Sequence, residues 1–198
     1  MRTLQEAGHE ASTCTKCRLS DGRTQVVYGT GNADADLMFI GEGPGYYEDK
    51  QGEPFVGAAG QLLNQMLEEI GVRRADVRIT NVILCRPPGN RDPMPDEVET
   101  CAPWLREQIE LVDPRVIVTL GNFATRFMLD KPVSISRVRG QRFPLEGRTV
   151  IPTFHPAAIL RGGGEASTQM AALRSDFQEI KRALAEMPEP VEEQLGLF

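Results

Sequence analysis

The sequence lacks any hydrophobic run that approaches the roughly 20 residues needed for a helix that spans a membrane. Its start, MRTLQEAGHE, also lacks the apolar core of a secretory signal peptide. The two absences predict a cytoplasmic protein with no membrane partner. No internal repeat is found, and 198 residues suffice for one domain with its own hydrophobic core.

An excess of positive charge is also missing, because the formal net charge is -6 at pH 7. Most nucleic-acid-binding domains are more basic. The charge is uneven, however. Residues 131–161 carry six cations and one acid, whereas residues 186–198 carry four glutamates and no cation. A DNA-binding basic face and a solvated arginine-rich surface both fit this pattern.

A glycine loop follows the apolar run Leu37–Ile40, but it lacks the Lys-Ser or Lys-Thr pair of a phosphate-binding P-loop. The loop reads GEGPG, with glycines at positions 41, 43 and 45. Carboxylates stand within and beside it, including Glu42 and Glu48, and they would repel a phosphate. The motif of a strand, a glycine loop and a helix therefore predicts a site for a ligand other than phosphate.

Four short apolar runs predict β-strands that are buried on both faces, as in a parallel sheet. They are Leu37–Ile40, Ile79–Leu84, Val116–Leu120 and Val150–Phe154. Helical patterns alternate with them, and the last one spans Met170–Leu184. Alternating strands and helices predict an α/β fold with three layers.

Polar residues occupy the ends of these predicted strands. Asn81 lies inside an apolar run, His155 follows another, and the Gly41–Gly45 loop follows a third. Ligands of such sheets bind at the carboxyl ends of the strands, so we expect these groups to share one rim. A lone histidine at a strand end is more often structural, and an asparagine there can cap a bulge.

Four cysteines have a spacing that suits a metal centre. Cys14 and Cys17 form a Cys-x-x-Cys turn, and Cys85 and Cys101 flank a connection stiffened by four prolines. Four thiolates hold tetrahedral zinc or an iron–sulfur cluster equally well, and spacing does not separate them. Four unrelated buried cysteines are the alternative.

Taken together, these motifs resemble the family 4 uracil-DNA glycosylases. The resemblance covers residues from Cys14 to about Leu184 and rests on the Cys-x-x-Cys start, GEGPG, PFVGAAGQLL, TNVILCRPPGNRDP and HPAAIL, in that order. It implies a four-stranded parallel sheet between helices and a 4Fe-4S cluster on Cys14, Cys17, Cys85 and Cys101. It also implies a monofunctional repair enzyme that flips deoxyuridine out of single- or double-stranded DNA and releases uracil.

The resemblance also implies roles for individual residues in binding uracil. Phe55 would stack on the base, Asn81 would read its Watson–Crick edge, and Glu48 would exclude the C5 methyl group of thymine, with Tyr46 and Tyr47 as rivals. Backbone groups of the loop Gly41, Glu42 and Gly43 would approach the ring. His155 would donate to uracil O2 as charge develops there.

Further roles concern water and DNA. Glu42 and Asn90 are candidates for orienting the attacking water. Ile159 and Leu160 would wedge into the duplex, with Arg161 beside them. The helix start at Gly57 and Ala58 would offer N–H groups to a phosphate, and Arg137, Arg139 and Arg142 would add salt-dependent contacts.

The sequence predicts one glycosylase domain over residues 1–186 and an acidic flexible tail over 187–198. The tail ends in Gln194-Leu195-Gly196-Leu197-Phe198, which resembles a peptide that docks on the bacterial sliding clamp. We expect a monomer.

One alternative function is that of a related group of proteins that bind uracil-DNA and stay covalently attached to it. Members of that group carry a histidine in a basic segment before the last strand, and the corresponding segment here, SISRVRGQRF, has none. The second alternative function is a nucleotide-binding module that is stabilised by zinc and has no catalytic activity.

Overall fold

The protein is one mixed β-sheet with helices on both faces. The computed structural model describes residues 2–186. The strands are β1 Thr30–Gly31, β2 Leu37–Gly41, β3 Arg78–Asn81, β4 Val116–Leu120, β5 Phe143–Leu145 and β6 Arg148–Thr153. The helices are α1 Leu4–Ser12, α2 Tyr46–Gln51, α3 Ala58–Glu69, α4 Pro95–Val112, α5 Gly121–Leu129, α6 Ile135–Val138, α7 Pro156–Arg161 and α8 Thr168–Glu186.

The sheet has the strand order β1-β3-β2-β4-β6-β5. The four central strands, β3, β2, β4 and β6, are parallel, which confirms the predicted α/β architecture. The predicted strand number was wrong, because β1 and β5 add antiparallel strands at the two edges. Both edge strands are too short to carry an alternating pattern in the sequence.

The central strands are buried on both sides, as their continuous apolar runs predict. On one face, α3 and α8 pack their apolar stripes against the sheet. On the other face, α1, α4 and α5 cover a second apolar cluster. The resulting three layers bring the carboxyl ends of all four parallel strands to one edge.

The predicted strand Ile79–Leu84 ends early, at Asn81. Beyond Asn81 the backbone still follows the neighbouring segment, since the N–H groups of Val82 and Ile83 donate to the carbonyls of Gly41 and Glu42 at 2.9 and 3.1 Å. These bonds fix the glycine loop against the segment that leads to Cys85.

No helix within residues 2–186 has the length and apolar character to cross a membrane. The predicted tail at 187–198, including Gln194–Phe198, lies outside the described residues.

Replacement of Phe177 by alanine tests the packing of α8. The Phe177 ring stacks on Phe39 of β2 with centroids 5.9 Å apart, and both side chains are fully buried. We expect the free energy of unfolding, measured by urea titration, to fall by about 3–5 kcal/mol. Arg182→Ala on the same helix removes only an exposed ion pair with Glu179 and is the control, with an expected loss below about 1 kcal/mol. Equal losses in both variants would contradict the assignment.

Candidate functional site

The strand register places Gly41 directly beside Asn81 at the carboxyl ends of β2 and β3. A Cβ atom at position 41 would lie 2.4 Å from Asn81 Oδ1 and 2.7 Å from Phe55 Cζ. No side chain fits there, so glycine at this position creates the space in which the carboxamide and the phenyl ring meet.

Asn81 is buried, with 2% of its surface exposed. Its side-chain amide makes no hydrogen bond to any other residue in the range 2–186. Neither amide atom is sealed from solvent, so the amide borders an opening. An amide in this position normally finds a partner, because an unpaired buried polar group costs free energy. The amide is therefore set to pair with a ligand.

Phe55 forms the next part of the site and has a strained backbone. Its φ angle is +54°, a conformation that non-glycine residues seldom adopt. The α3 helix fixes this turn, since a Cβ at Gly60 would lie 1.7 Å from the Phe55 carbonyl oxygen. The buried Phe55 ring lies 5.6 Å from the His155 ring, centroid to centroid, with 30° between the planes.

His155 is the N-cap of α7, and its protonation state follows from that role. The Ala157 N–H donates to His155 Nδ1 at 3.1 Å. Because Nδ1 accepts a hydrogen bond, a neutral His155 carries its proton on Nε2. The side chain packs on Gly121, where a Cβ would lie 3.1 Å from His155 Cβ. The free Nε2–H is thus a fixed donor.

The His155 imidazole is neutral at physiological pH. Burial lowers its pKa to about 4, and the positive charge of Arg161 acts in the same direction, while Glu48 opposes both. A neutral donor can stand in a dry site without the desolvation cost of an imidazolium.

Glu48 is held by backbone amides. Its Oε1 accepts from the N–H groups of Val56 and Gly57 at 3.1 and 3.3 Å. The prediction that the Gly57 N–H would bind a DNA phosphate is therefore wrong, because Glu48 already occupies it. Ala58, the first residue of α3, is exposed and has no such partner within the described chain.

Glu42 and Asn90, both expected near the reacting water, line one cleft of about 120 Å³. Burial raises the pKa of Glu42, and the charge of Asp92 raises it further. Asn90 Oδ1 accepts from Arg86 Nε at 2.6 Å, which orients the amide. Gly43 also lines this cleft, and a Cβ there would lie 2.7 Å from Ile83 Cγ1.

The α7 helix separates the two predicted wedge residues. Ile159 has none of its surface exposed and belongs to the core, so its prediction as a wedge was wrong. Leu160 is 40% exposed, and Arg161 is exposed beside it. Neighbouring positions on a short helix point to different sides, so only one of the pair can face outward.

Three of the six cations in residues 131–161, namely Arg139, Arg142 and Arg148, form ion pairs within the described chain. Arg139 forms an ion pair with Asp176 at 2.5 Å, and Arg142 pairs with Glu179 at 2.6 Å. Both arginines have partners within the protein, and their contact with phosphates stays a prediction. Arg137 is exposed and has no ion pair among residues 2–186.

The four cysteines line a single cavity at the end of α1, together with Lys16 and Arg23. Arg23 Nη1 donates to Cys85 Sγ at 3.4 Å, and the Leu84 N–H donates to Cys101 Sγ at 3.4 Å. Burial raises the pKa of the Cys101 thiol to about 12. Without a further positive charge this thiol stays protonated at neutral pH, and the two N–H donors beside Cys85 and Cys101 are of the kind that supports sulfur ligands.

The described side chains alone do not form a compact site for one metal ion. Within residues 2–186, no three cysteine, histidine or acidic side chains converge closely enough to hold one metal ion. Tetrahedral zinc would require sulfurs about 3.8 Å apart, given a Zn–S bond of about 2.3 Å. What the described side chains show is one cavity that the four cysteines share.

Three supporting residues were missed by the sequence interpretation: Gly60, Gly121 and Arg86. The first two hold Phe55 and His155 by close packing, and the third orients Asn90. The GAAG motif contained Gly60, but its contact with Phe55 is set by the tertiary fold and has no periodic signal.

Comparison with known proteins places this geometry in a family. The profile of the Uracil DNA glycosylase superfamily matches residues 28–181. A type-4 uracil-DNA glycosylase of Thermotoga maritima is 54% identical over 160 residues, which cover 80% of this chain and 83% of that protein. One of Archaeoglobus fulgidus is 49% identical over 168 residues, covering 81% of this chain and 84% of that protein. A DNA polymerase of Bacillus phage SP01 is 34% identical over 72% of this chain and 16% of its own length. The chain therefore belongs to the uracil-DNA glycosylase superfamily and, within it, to the type-4 enzymes.

Proposed function

We propose that the protein is a DNA repair glycosylase that binds deoxyuridine flipped out of DNA and hydrolyses its N-glycosidic bond. The observation that carries the proposal is the unpartnered, buried amide of Asn81 beside the Phe55 ring, which in turn contacts the ring of His155. A ring stacked on Phe55 would present its polar edge to the amide and a carbonyl to the histidine. Extrusion of the nucleotide costs a few kcal/mol, which the site must offset.

Asn81 distinguishes uracil from cytosine. Its carboxamide can donate to uracil O4 and accept from N3–H. Cytosine reverses both polarities and would leave buried groups unpaired, a mismatch that can give a discrimination of roughly 10⁴ or more. The rigid wall of Gly41 and Phe55 keeps the amide from rotating away to find another partner.

His155 stabilises the departing base. As the bond between C1′ and N1 breaks, its electron pair leaves with uracil, and negative charge grows on O2. The Nε2–H donates to this oxygen without a change in protonation state. A water oxygen forms the new bond to C1′, and the proton that the water loses balances the negative charge of the released uracil, which is protonated in solvent. Glu42 and Asn90, which share one cleft, are the groups proposed to orient that water.

Glu48 is the residue proposed to exclude thymine. Two backbone N–H groups hold its carboxylate, so it cannot swing aside for a C5 methyl group. Tyr46 and Tyr47 are exposed and are less suited to a steric wall inside the site.

Leu160 and Arg161 of α7 are the residues proposed to contact the DNA beside the flipped nucleotide, together with the Ala58 N–H and Arg137. All are exposed. Leu160 would fill the gap in the duplex, and the polar groups would bind phosphates.

Cys14, Cys17, Cys85 and Cys101 are proposed to hold a 4Fe-4S cluster. When bound, it would supply four iron–thiolate bonds that fasten the N-terminal segment to Cys85, which follows β3, and to Cys101 in α4. The hydrolysis itself requires no electron transfer. Their shared cavity and N–H···S donors support this assignment.

The remaining expectations stay predictions. They are the single domain at 1–186, the monomeric state, the cytoplasmic location and the docking of Gln194–Phe198 on a sliding clamp. The clamp peptide falls outside the described residues.

His155→Ala tests the proposed chemistry. Loss of a fixed donor to developing charge should lower the single-turnover rate of uracil release roughly 10²- to 10³-fold. Release is measured on a deoxyuridine oligonucleotide by alkaline cleavage at abasic sites, with a thymidine oligonucleotide as the substrate control. His9→Ala, which alters the other histidine, should leave the rate unchanged. Absence of uracil release by the wild type would refute the function.

The protonation state of His155 can be measured by NMR. In a His9→Gln variant, the imidazole of His155 is the one that remains. With a pKa of about 4, it should stay neutral with the proton on Nε2 from pH 8 down to pH 5 and become charged only as the pH falls through about 4. A titration midpoint near 6.5 would contradict the neutral donor.

Cys101→Ala tests the cluster. Iron and acid-labile sulfide per chain should fall, and the midpoint of thermal unfolding should drop, because a buried ligand is lost. Thr100→Ala is the matched control, since Thr100 lines the same cavity without offering sulfur. Stoichiometric zinc without iron in the wild type, or full iron content in Cys101→Ala, would disprove the assignment.

A further inference from the structure

The first turn of α2 presents two tyrosine rings to solvent beside the proposed active site. Tyr46 is 50% exposed and Tyr47 is 61% exposed. Their rings meet edge to face, with centroids 5.4 Å apart and an angle of 85°. Large exposed rings in a soluble protein usually mark a surface that binds something.

These rings belong to one rim of the molecule. Within residues 2–186, the exposed large apolar side chains are those of Tyr46, Tyr47, Met94 and Leu160. They lie in the segments that follow the carboxyl ends of β2, β3 and β6. Tyr47 also approaches the turn that holds Phe55, since a Cβ at Gly57 would lie 4.0 Å from its Cδ2 atom.

Positive charge accompanies the rings. The Arg86 guanidinium lies 5.1 Å from the centre of the Tyr46 ring, and Lys50 Nζ lies 5.7 Å from it. Arg86 also donates to Asn90, which ties the tyrosine pair to the cleft that contains Glu42.

The carboxylates of α2 are held in place by backbone N–H donors. Glu48 accepts from the backbone at Val56 and Gly57, and buried Asp49 accepts from the Thr24 N–H at 2.8 Å. The outer face of the helix therefore offers aromatic rings and the Lys50 ammonium group.

We propose that Tyr46, Tyr47 and Arg86 form a stacking site for an unpaired base next to the flipped deoxyuridine in single-stranded DNA. Aromatic rings combined with cations are how proteins bind single strands without reading sequence. Tyr47 offers the more exposed ring, and Arg86 and Lys50 neutralise the phosphate that follows the stacked base. In a duplex the same base remains paired and stacked on its neighbours. This inference rests on the proposed function.

A double variant, Tyr46→Ala with Tyr47→Ala, tests the stacking site. We expect KM for a single-stranded deoxyuridine oligonucleotide to rise roughly tenfold, with the single-turnover rate at saturation unchanged. KM for the matching duplex should change much less. Tyr46→Phe with Tyr47→Phe keeps the rings and should retain the wild-type KM.

A second substrate separates stacking from a role inside the uracil pocket. In this oligonucleotide the nucleotides that flank deoxyuridine are tetrahydrofuran abasic analogues, which resist alkaline cleavage, so the wild type should bind it as weakly as the double alanine variant binds the normal strand. An unchanged KM in the alanine variant, or an equal further loss on the abasic-flanked strand, would overturn the stacking site alone. Absence of uracil release by the wild type would overturn the proposed function and the stacking site with it.

Discussion

The site depends on the pairing of Gly41 with Asn81 in the parallel register of β2 and β3. The register sets which residue faces the amide, and glycine is the one residue that leaves room for both the carboxamide and the Phe55 ring. A shift of one residue would reverse the face on which each side chain lies and would remove the amide from the rim. Recognition of a base is thus a product of sheet register as much as of side-chain chemistry.

An acidic chain can bind DNA when its carboxylates have partners of their own. Glu48 and Asp49 are hydrogen-bonded to backbone N–H groups, and Asp176 and Glu179 form ion pairs with two arginines of residues 131–161. The net charge of the chain therefore does not predict the charge at the carboxyl ends of the parallel strands. There the local arrangement of exposed groups determines whether DNA can bind.

Much of the fold could be predicted from the sequence, because buried parallel strands are continuous apolar runs. The strand Val116–Leu120 has the predicted bounds, and α8 extends the predicted pattern Met170–Leu184 by two residues at each end. The edge strands could not be predicted, since two or three residues carry no period. The convergence of Gly41, Asn81 and His155 on one rim followed from strand order, and the structure confirms it.

The failures at the site have a common physical cause. Ile159 and Leu160 are adjacent and equally apolar, so only packing decides which one is buried. The Gly57 N–H could not be assigned without knowing that Glu48 reaches it across eight or nine residues. Such contacts depend on how separate helices and strands pack against each other, and this packing cannot be predicted from residue composition or spacing.

Helix α7 has six residues, starts next to the proposed hydrogen-bond donor His155 and ends at the protein surface. His155 caps its start, Ile159 holds its middle in the core, and Leu160 stands at its exposed end. A six-residue helix moves as one body. Because both residues belong to this one short element, a shift of α7 would change the positions of the Leu160 side chain and the His155 imidazole together.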